Sequence, residues 1–305
     1  MTCPSTNCRS RYCAIQRYRL LPGLLLCLLL LPQMVRAASE EKDAGFLRFV
    51  EGSGEYAGEL QTALVTYRNG RGVEVDLVAT VHMAERAYYE NLNAYFSHRD
   101  TVLYELVADE SVRPDGTGVG RGSGIIGLLQ TSMTRLLGLS YQLDVINYAR
   151  PNFVHADLEP AELQALMDAK GESLLSAFLA LILSDAQARD SLPTGPGGDT
   201  LDLSLTDIIK LFSLPNRQTA LKYLLGQTLA VSEGSLSALT GSGFTLLDDR
   251  NEAALATLRV SLDETAVRKL SIFYGSAHMP GLELGLTQMG FVPVSRTWLT
   301  AWRTE

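Results

Sequence analysis

The 305-residue chain has only four cysteines (Cys3, Cys8, Cys13 and Cys27), all within its first 27 residues. Beyond them there is no thiol to form a disulfide, ligate a metal or act as a nucleophile. Histidine is equally scarce, with four in the chain, so the position of each carries information. Basic charge is short once the start is set aside. Residues 1–37 hold five arginines and no acid, whereas residues 38–305 hold 21 basic side chains against 34 acidic ones, a net −13. An acidic body argues against a nucleic-acid partner, which needs a basic surface. No basic cluster is present to dock on an anionic membrane either. Also missing are a G-x-S-x-G elbow, an H-E-x-x-H pair and a phosphate loop ending in Gly-Lys. The run Gly122-Ser123-Gly124-Ile125-Ile126-Gly127 matches the dinucleotide pattern by letter. It follows a loop rather than a strand, so it is read as coincidence.

Long apolar runs are few. Residues 20–31 (LLPGLLLCLLLL) are too short to span a bilayer, are preceded by four arginines, and are followed by Val35-Arg36-Ala37. That order is the pattern of a signal peptide, here residues 1–37, with a mature chain in the periplasm or secreted. An uncleaved anchor is the rival reading. Residues 173–183 are strongly apolar but again too short to span, and are read as core or lid. No stable membrane span is expected after leader cleavage.

Residues 38–305 read as a single domain. A short apolar stretch at 46–50 opens it. Extended segments at 60–67 and 73–80 are joined by Asn69-Gly70-Arg71-Gly72, a hairpin signal. In the second segment Val73, Val75 and Leu77 alternate with Glu74 and Asp76, which predicts a strand that begins solvated and ends covered. Helical spacing follows at 85–96, with Tyr88, Leu92, Tyr95 and Phe96 on one face, then a buried strand at 101–107. Strand, helix, strand predicts a right-handed crossover in an α/β layer. Residues 109–124 are rich in Gly, Pro and Asp and read as a loop. The middle, about 125–240, reads as a helical insertion broken at 191–200. Pro160 with Glu162 marks a helix start, and Asp248 and Asp249 are positioned to cap a helix through 251–262. A strand at 270–274, a short helix to Met289 and a final strand near 291–299 complete the chain.

The two ends repeat each other: DLVATVHM, helix, TVLYEL resembles SIFYGSAHM, helix, VPVSRTWL. The fold class predicted is α/β (α+β), a mixed central sheet built from two strand-helix-strand units with the helical insertion between them. Such units would bring His82 and His278 to the carboxyl ends of strands, where α/β sheets bind ligands.

His82 and His278 end buried strands, where a neutral imidazole is a good divalent-metal ligand. Glu105 lies in an apolar strand, and a buried carboxylate needs a cation, a set of donors or a raised pKa. Two imidazoles and one carboxylate make a competent metal-hydrolysis site. Arg250 reads either as a salt bridge to Asp248 and Asp249 or as a grip on an oxyanion or substrate carboxylate. His155 and Asp157 precede a helix and read as local hydrogen bonding and capping. His98 reads as a surface residue.

Ala79-Thr80-Val81-His82, Leu103-Tyr104-Glu105 and Gly275-Ser276-Ala277-His278 together resemble the paired G-x-x-H motifs and intervening glutamate of the TraB/GumN/Tiki family. The second motif is intact; in the first, Ala79 stands in the glycine's place. The resemblance extends over residues 60–302 and includes 141–158, 248–258 and the ending Trp298-Leu299-Thr300-Ala301-Trp302. It implies a two-repeat α/β fold and a divalent cation of the manganese or cobalt class, with zinc an alternative. The expected activity is metal-dependent hydrolysis of a peptide or small molecule, with His82, Glu105 and His278 on the metal and Glu105 and Arg250 in catalytic roles. The alternative is a protein that sequesters a peptide or haem-like ligand without cleaving it.

Overall fold

The computed structural model describes residues 45–116, 134–172, 216–237, 240–241, 244–264 and 266–304. All described elements belong to one compact unit, Phe46–Glu305. The expected leader (1–37), the apolar stretch 173–183, the break at 191–200 and part of the loop at 109–124 lie outside the described residues.

Nine strands are described: β1 (Leu47–Glu51), β2 (Gly58–Arg68), β3 (Glu74–Thr80), β4 (Met83–Ala84), β5 (Thr101–Tyr104), β6 (Ser140–Tyr141), β7 (Phe153–His155), β8 (Lys269–Gly275) and β9 (Val292–Thr304). The helices are α1 (Arg86–Phe96), α2 (Pro160–Lys170), α3 (Arg217–Ser237), α4 (Asp248–Asp263) and α5 (Met279–Gln288). Seven strands form one mixed sheet. Its path runs β1-β2-β3-β8-β5-β7, with β9 also paired to β2. β1, β3 and β9 are antiparallel to β2, whereas β3, β8, β5 and β7 are mutually parallel. The mixed sheet expected from the sequence is present.

The β2–β3 hairpin forms where its turn residues demand it. The Asn69 side-chain oxygen accepts from the backbone N–H of Arg71 (2.9 Å) and of Val73 (3.1 Å). Gly72 sits at φ 77°, a conformation only glycine adopts at no steric cost.

Side-chain alternation sorts the core into two layers. Val75, Leu77, Ala79, Leu103, Leu270, Ile272 and Tyr274 pack on one face against α4 and α5. Val78, Val102, Tyr104 and Phe273 pack on the other, against α1 and α3. Burying both faces is why these strands read as almost continuously apolar. The two repeats become β3-α1-β5, which steps past β8 with its helix on one face, and β8-α5-β9, which steps past β3 and β2 with its helix on the other. Reversing both the direction and the face preserves the hand of the crossover.

Two expectations are corrected here. β9 runs to Thr304 and pairs along the whole of β2, beyond the final strand read at 291–299. Asp76, read as a solvated position, is 1% exposed. Its carboxylate accepts from Thr66 Oγ1 (2.6 Å) and the Tyr95 hydroxyl (2.8 Å), and pairs with Arg99 Nε at 3.0 Å. The alternation was real, but the face it marked is covered by α1, and Tyr95 of that helix, Arg99 just beyond it and Thr66 of β2 supply the partners a buried charge requires. Asp76→Asn is expected to cost about 1–3 kcal/mol, because Arg99 loses its counter-charge. A shift of the urea midpoint measures it, and an unchanged midpoint would contradict it.

Candidate active site

Four parallel strands end on the same side of the sheet, and what leaves them builds the site. β5 ends at Tyr104, and Glu105 follows at once, its backbone N–H donating to Phe273 O (3.1 Å) on β8. β8 ends at Gly275 and turns through a short 3₁₀ segment, Ser276–His278, into α5, so that His278 sits at the amino terminus of that helix. β7 ends at His155, and Asp157 lies two residues beyond. The first turn of α4 brings Arg250 and Asn251 over these ends.

Arg250 is the hub. Its Nε and Nη2 donate to the two carboxylate oxygens of Asp157 (2.9 and 2.6 Å), a bidentate clamp. Nη2 also donates to Glu105 Oε1 (2.7 Å), and Nη1 lies 3.3 Å from His278 Nε2. The other oxygen of Glu105 accepts the Gly275 N–H at 2.6 Å. Oε1 of Glu105 is 3.5 Å from His278 Nε2. The glycine of the second motif has a clear purpose: a Cβ at 275 would lie 3.2 Å from Glu105 Oε2.

The charge states follow from these contacts. Burial would raise the Glu105 carboxyl, but His278, Arg250, His82 and the Gly275 N–H outweigh it and hold the pKa at about 2. Burial lowers His278 to about 4; Glu105 opposes this and Arg250 adds to it, so the imidazole is neutral at pH 7. Burial works against the Arg250 charge, but Asp157 and Glu105 more than compensate and raise its pKa further. Two carboxylates against one guanidinium and a neutral imidazole leave the cluster one negative charge in excess.

Glu105, His278 and Arg250, singled out in the sequence, therefore meet. His82 is exposed on the segment leaving β3, near enough to contribute electrostatically to the lowering of both Glu105 and His278. Its backbone carbonyl accepts from Gln142, while Tyr88 and Tyr89 of α1 donate to the carbonyls of Ala79 and Val81 and fix this exit from β3. The two motifs differ here: Thr80, not Ala79, lies beside Gly275 in the parallel ladder, and β3 leads to β4 rather than into a helix. Ala79 is inside β3 with its methyl in the core.

Arg250 makes its pairs with Asp157 and Glu105 rather than with Asp248 and Asp249. Asp249 pairs with Lys170, and Asp248 accepts from Gly241 N–H at 2.9 Å. Neither caps α4, since the N-cap is Leu247. Asp157 does make the local bond expected of it, to Leu158 N–H (2.8 Å), but its larger role is the clamp. The available signal was its place just beyond a short strand, as with Glu105. His155 instead bonds through Nε2 to Leu106 O (2.6 Å) and packs edge-on to Tyr104. His98 is exposed, as read.

A divalent cation suits Glu105 and His278 as two of its ligands. One is ionised and the other presents a neutral imidazole, as metal binding requires. Their 3.5 Å separation allows both to reach one ion at bonds of about 2 Å, and the excess negative charge favours a cation. Here the cation between them is the Arg250 guanidinium. Among the described residues no three His, Cys, Asp or Glu side chains are gathered into a metal-holding group. Among the described residues, too, no helix is long and apolar enough to cross a membrane. No family model, curated protein or solved structure matches the chain.

Proposed function

We propose that the chain is an exported hydrolase of peptides or related carbonyl compounds, using a divalent cation of the manganese, cobalt or zinc class. The observation that carries this reading is the pair Glu105 Oε1 and His278 Nε2, 3.5 Å apart and both unprotonated, at the carboxyl ends of parallel strands. His82, on the neighbouring strand exit, is the third donor in this reading. A cation bound there would supply Lewis-acid polarisation and a water acidic enough to ionise near neutral pH. The chain's own groups do the rest. Glu105, with a pKa near 2, is too weak a base to be a good proton acceptor and serves better as an anionic ligand. Gly275 N–H fixes its second oxygen. Arg250, held in orientation by Asp157, has Nη1 beside His278 Nε2, from where it would stabilise charge developing on a carbonyl oxygen brought to that ligand.

A second reading, sequestration without cleavage, is favoured by one observation. Arg250 already satisfies Glu105 Oε1 and faces His278 Nε2, and a guanidinium so placed can grip a ligand carboxylate. Metal analysis of tag-free mature protein, calorimetric titration with manganese, cobalt and zinc, and a peptide-library digest separate the two. Metal with chelator-sensitive cleavage is expected. Ligand binding without cleavage supports sequestration, and no metal uptake at millimolar concentration refutes the metal-dependent hydrolase. Export is tested by the native amino terminus: a start near Ala38 is expected, and an intact Met1 overturns it.

A further inference from the structure

His278 has two ring nitrogens, and the structure assigns them different tasks. Nε2 faces the cluster, 3.3 Å from Arg250 Nη1. A guanidinium carries donors only, so the atom it meets must be an acceptor, and Nε2 must hold its lone pair. With Nε2 facing a donor, the ring proton belongs on Nδ1. Nδ1 lies 2.8 Å from Asn251 Oδ1, an acceptor on the next residue of the same helix turn. The opposite orientation of the Asn251 amide would set N–H against N–H at Nδ1, or force the proton to Nε2 and set it against Arg250.

We infer that Asn251 is a positioning residue that holds His278 in the Nδ1–H form, and that Gly281 is the gap in α5 that lets it do so. Asn251 is 4% exposed and its Nδ2 has no hydrogen-bond partner among the described residues, an expense that its orientation toward His278 accounts for. The amide fits only because residue 281 has no side chain: a Cβ there would lie 2.3 Å from Asn251 Nδ2 and 3.3 Å from its Cγ. His278 and Gly281 are three residues apart at the start of α5, so one helix turn carries both the imidazole and the space for its orienting partner. Neighbours of this kind fix the tautomer and ring angle of a working histidine, and losing one lowers metal affinity or activity about 10–100-fold.

The effect on turnover rests on the proposed hydrolase function; the tautomer does not. The test is therefore nitrogen-15 NMR of the histidine rings in the full chain at neutral pH, with His278 assigned through His278→Gln. Wild type should show a protonated, pyrrole-type Nδ1 and a pyridine-type Nε2. Asn251→Ala should move His278 toward the Nε2–H form, whereas Asn251→Asp, which keeps an acceptor, should restore Nδ1–H. Manganese affinity should fall about 10–100-fold in Asn251→Ala. Gly281→Ala keeps Asn251 but displaces it, and should shift the tautomer in the same direction; it is the second route should Asn251→Ala not fold. An Nε2–H ring in the wild type overturns the inference, as does a His278 spectrum unchanged by Asn251→Ala and Gly281→Ala. A shifted tautomer with no metal uptake by any variant would leave the positioning role standing and count against the hydrolase.

Discussion

Arg250→Ala is expected to destabilise the protein by about 3–5 kcal/mol, the usual cost of leaving a buried charge without its partner. Asp157 is 0% exposed at its side chain and Glu105 12%, so the variant sets two carboxylates side by side with little water to separate them. Arg250→Lys should recover only part of this, since an ammonium cannot clamp Asp157 with two parallel bonds while reaching Glu105. The loss should also depend on pH. In the wild type Glu105 is held near 2 against an ordinary 4.5, so its contribution is complete above 4.5 and drains away as the pH falls toward 2. His278, lowered to about 4 from 6.5, contributes fully above 6.5 and loses that contribution between 6.5 and 4. Acid therefore weakens the wild type on both counts. In Arg250→Ala, protonating either carboxylate relieves the repulsion, so the deficit should shrink between pH 7 and pH 4. Urea midpoints of both proteins at the two pH values measure it. A deficit of equal size at each pH would show that Arg250 acts by packing alone.

Glu105→Gln should have the largest effect on chemistry. The amide can still accept the Gly275 N–H, but its nitrogen would meet Arg250 Nη2 donor to donor, and the cluster loses its excess negative charge. If Glu105 is a direct ligand, metal content and turnover should fall together; if it is a general base, metal should remain while the rate drops by about 10²–10⁴. His82→Ala and His278→Ala provide the comparison. Glu105→Gln with full metal and full activity, beside histidine variants lacking both, would remove Glu105 from the site.

The parts of this molecule that were legible in its sequence are those whose signal is local. The Asn69–Gly72 turn, the tyrosine-lined face of α1 and the buried strand ends at Glu105 and His278 each announce themselves within about ten residues. Asp157 looked like a local cap because it stands just before a helix, but Glu159 caps that helix and the Asp157 clamp comes from Arg250, 93 residues away. Asp76 looked solvated because alternation shows that a strand has two faces but not what covers the second. Arg250 was singled out with its nearest acids in sequence as partners, but Asp249 pairs with Lys170 and Asp248 accepts from Gly241, while Arg250 reaches Asp157 and Glu105. The full pairing of β9 with β2 was hidden for the same reason, since register across 240 residues leaves no trace in either segment alone.

The place of β8 bears on how the chain must be assembled. It is the eighth of the nine described strands in chain order, yet it lies between β3 and β5 and joins them. Until it is available, the β1-β2-β3 and β5-β7 groups have no strand to join them, and β3 and β5 each present an unpaired edge flanked by apolar side chains. Such edges attract other chains, and closing contacts this distant in sequence is slow. A nascent chain is therefore most vulnerable to self-association just before the segment carrying His278 arrives. The step that inserts this strand joins the two parts of the sheet, leaving only β9 to add along β2, and assembles the Glu105–His278 pair in the same event, so fragments ending before it should neither fold nor bind.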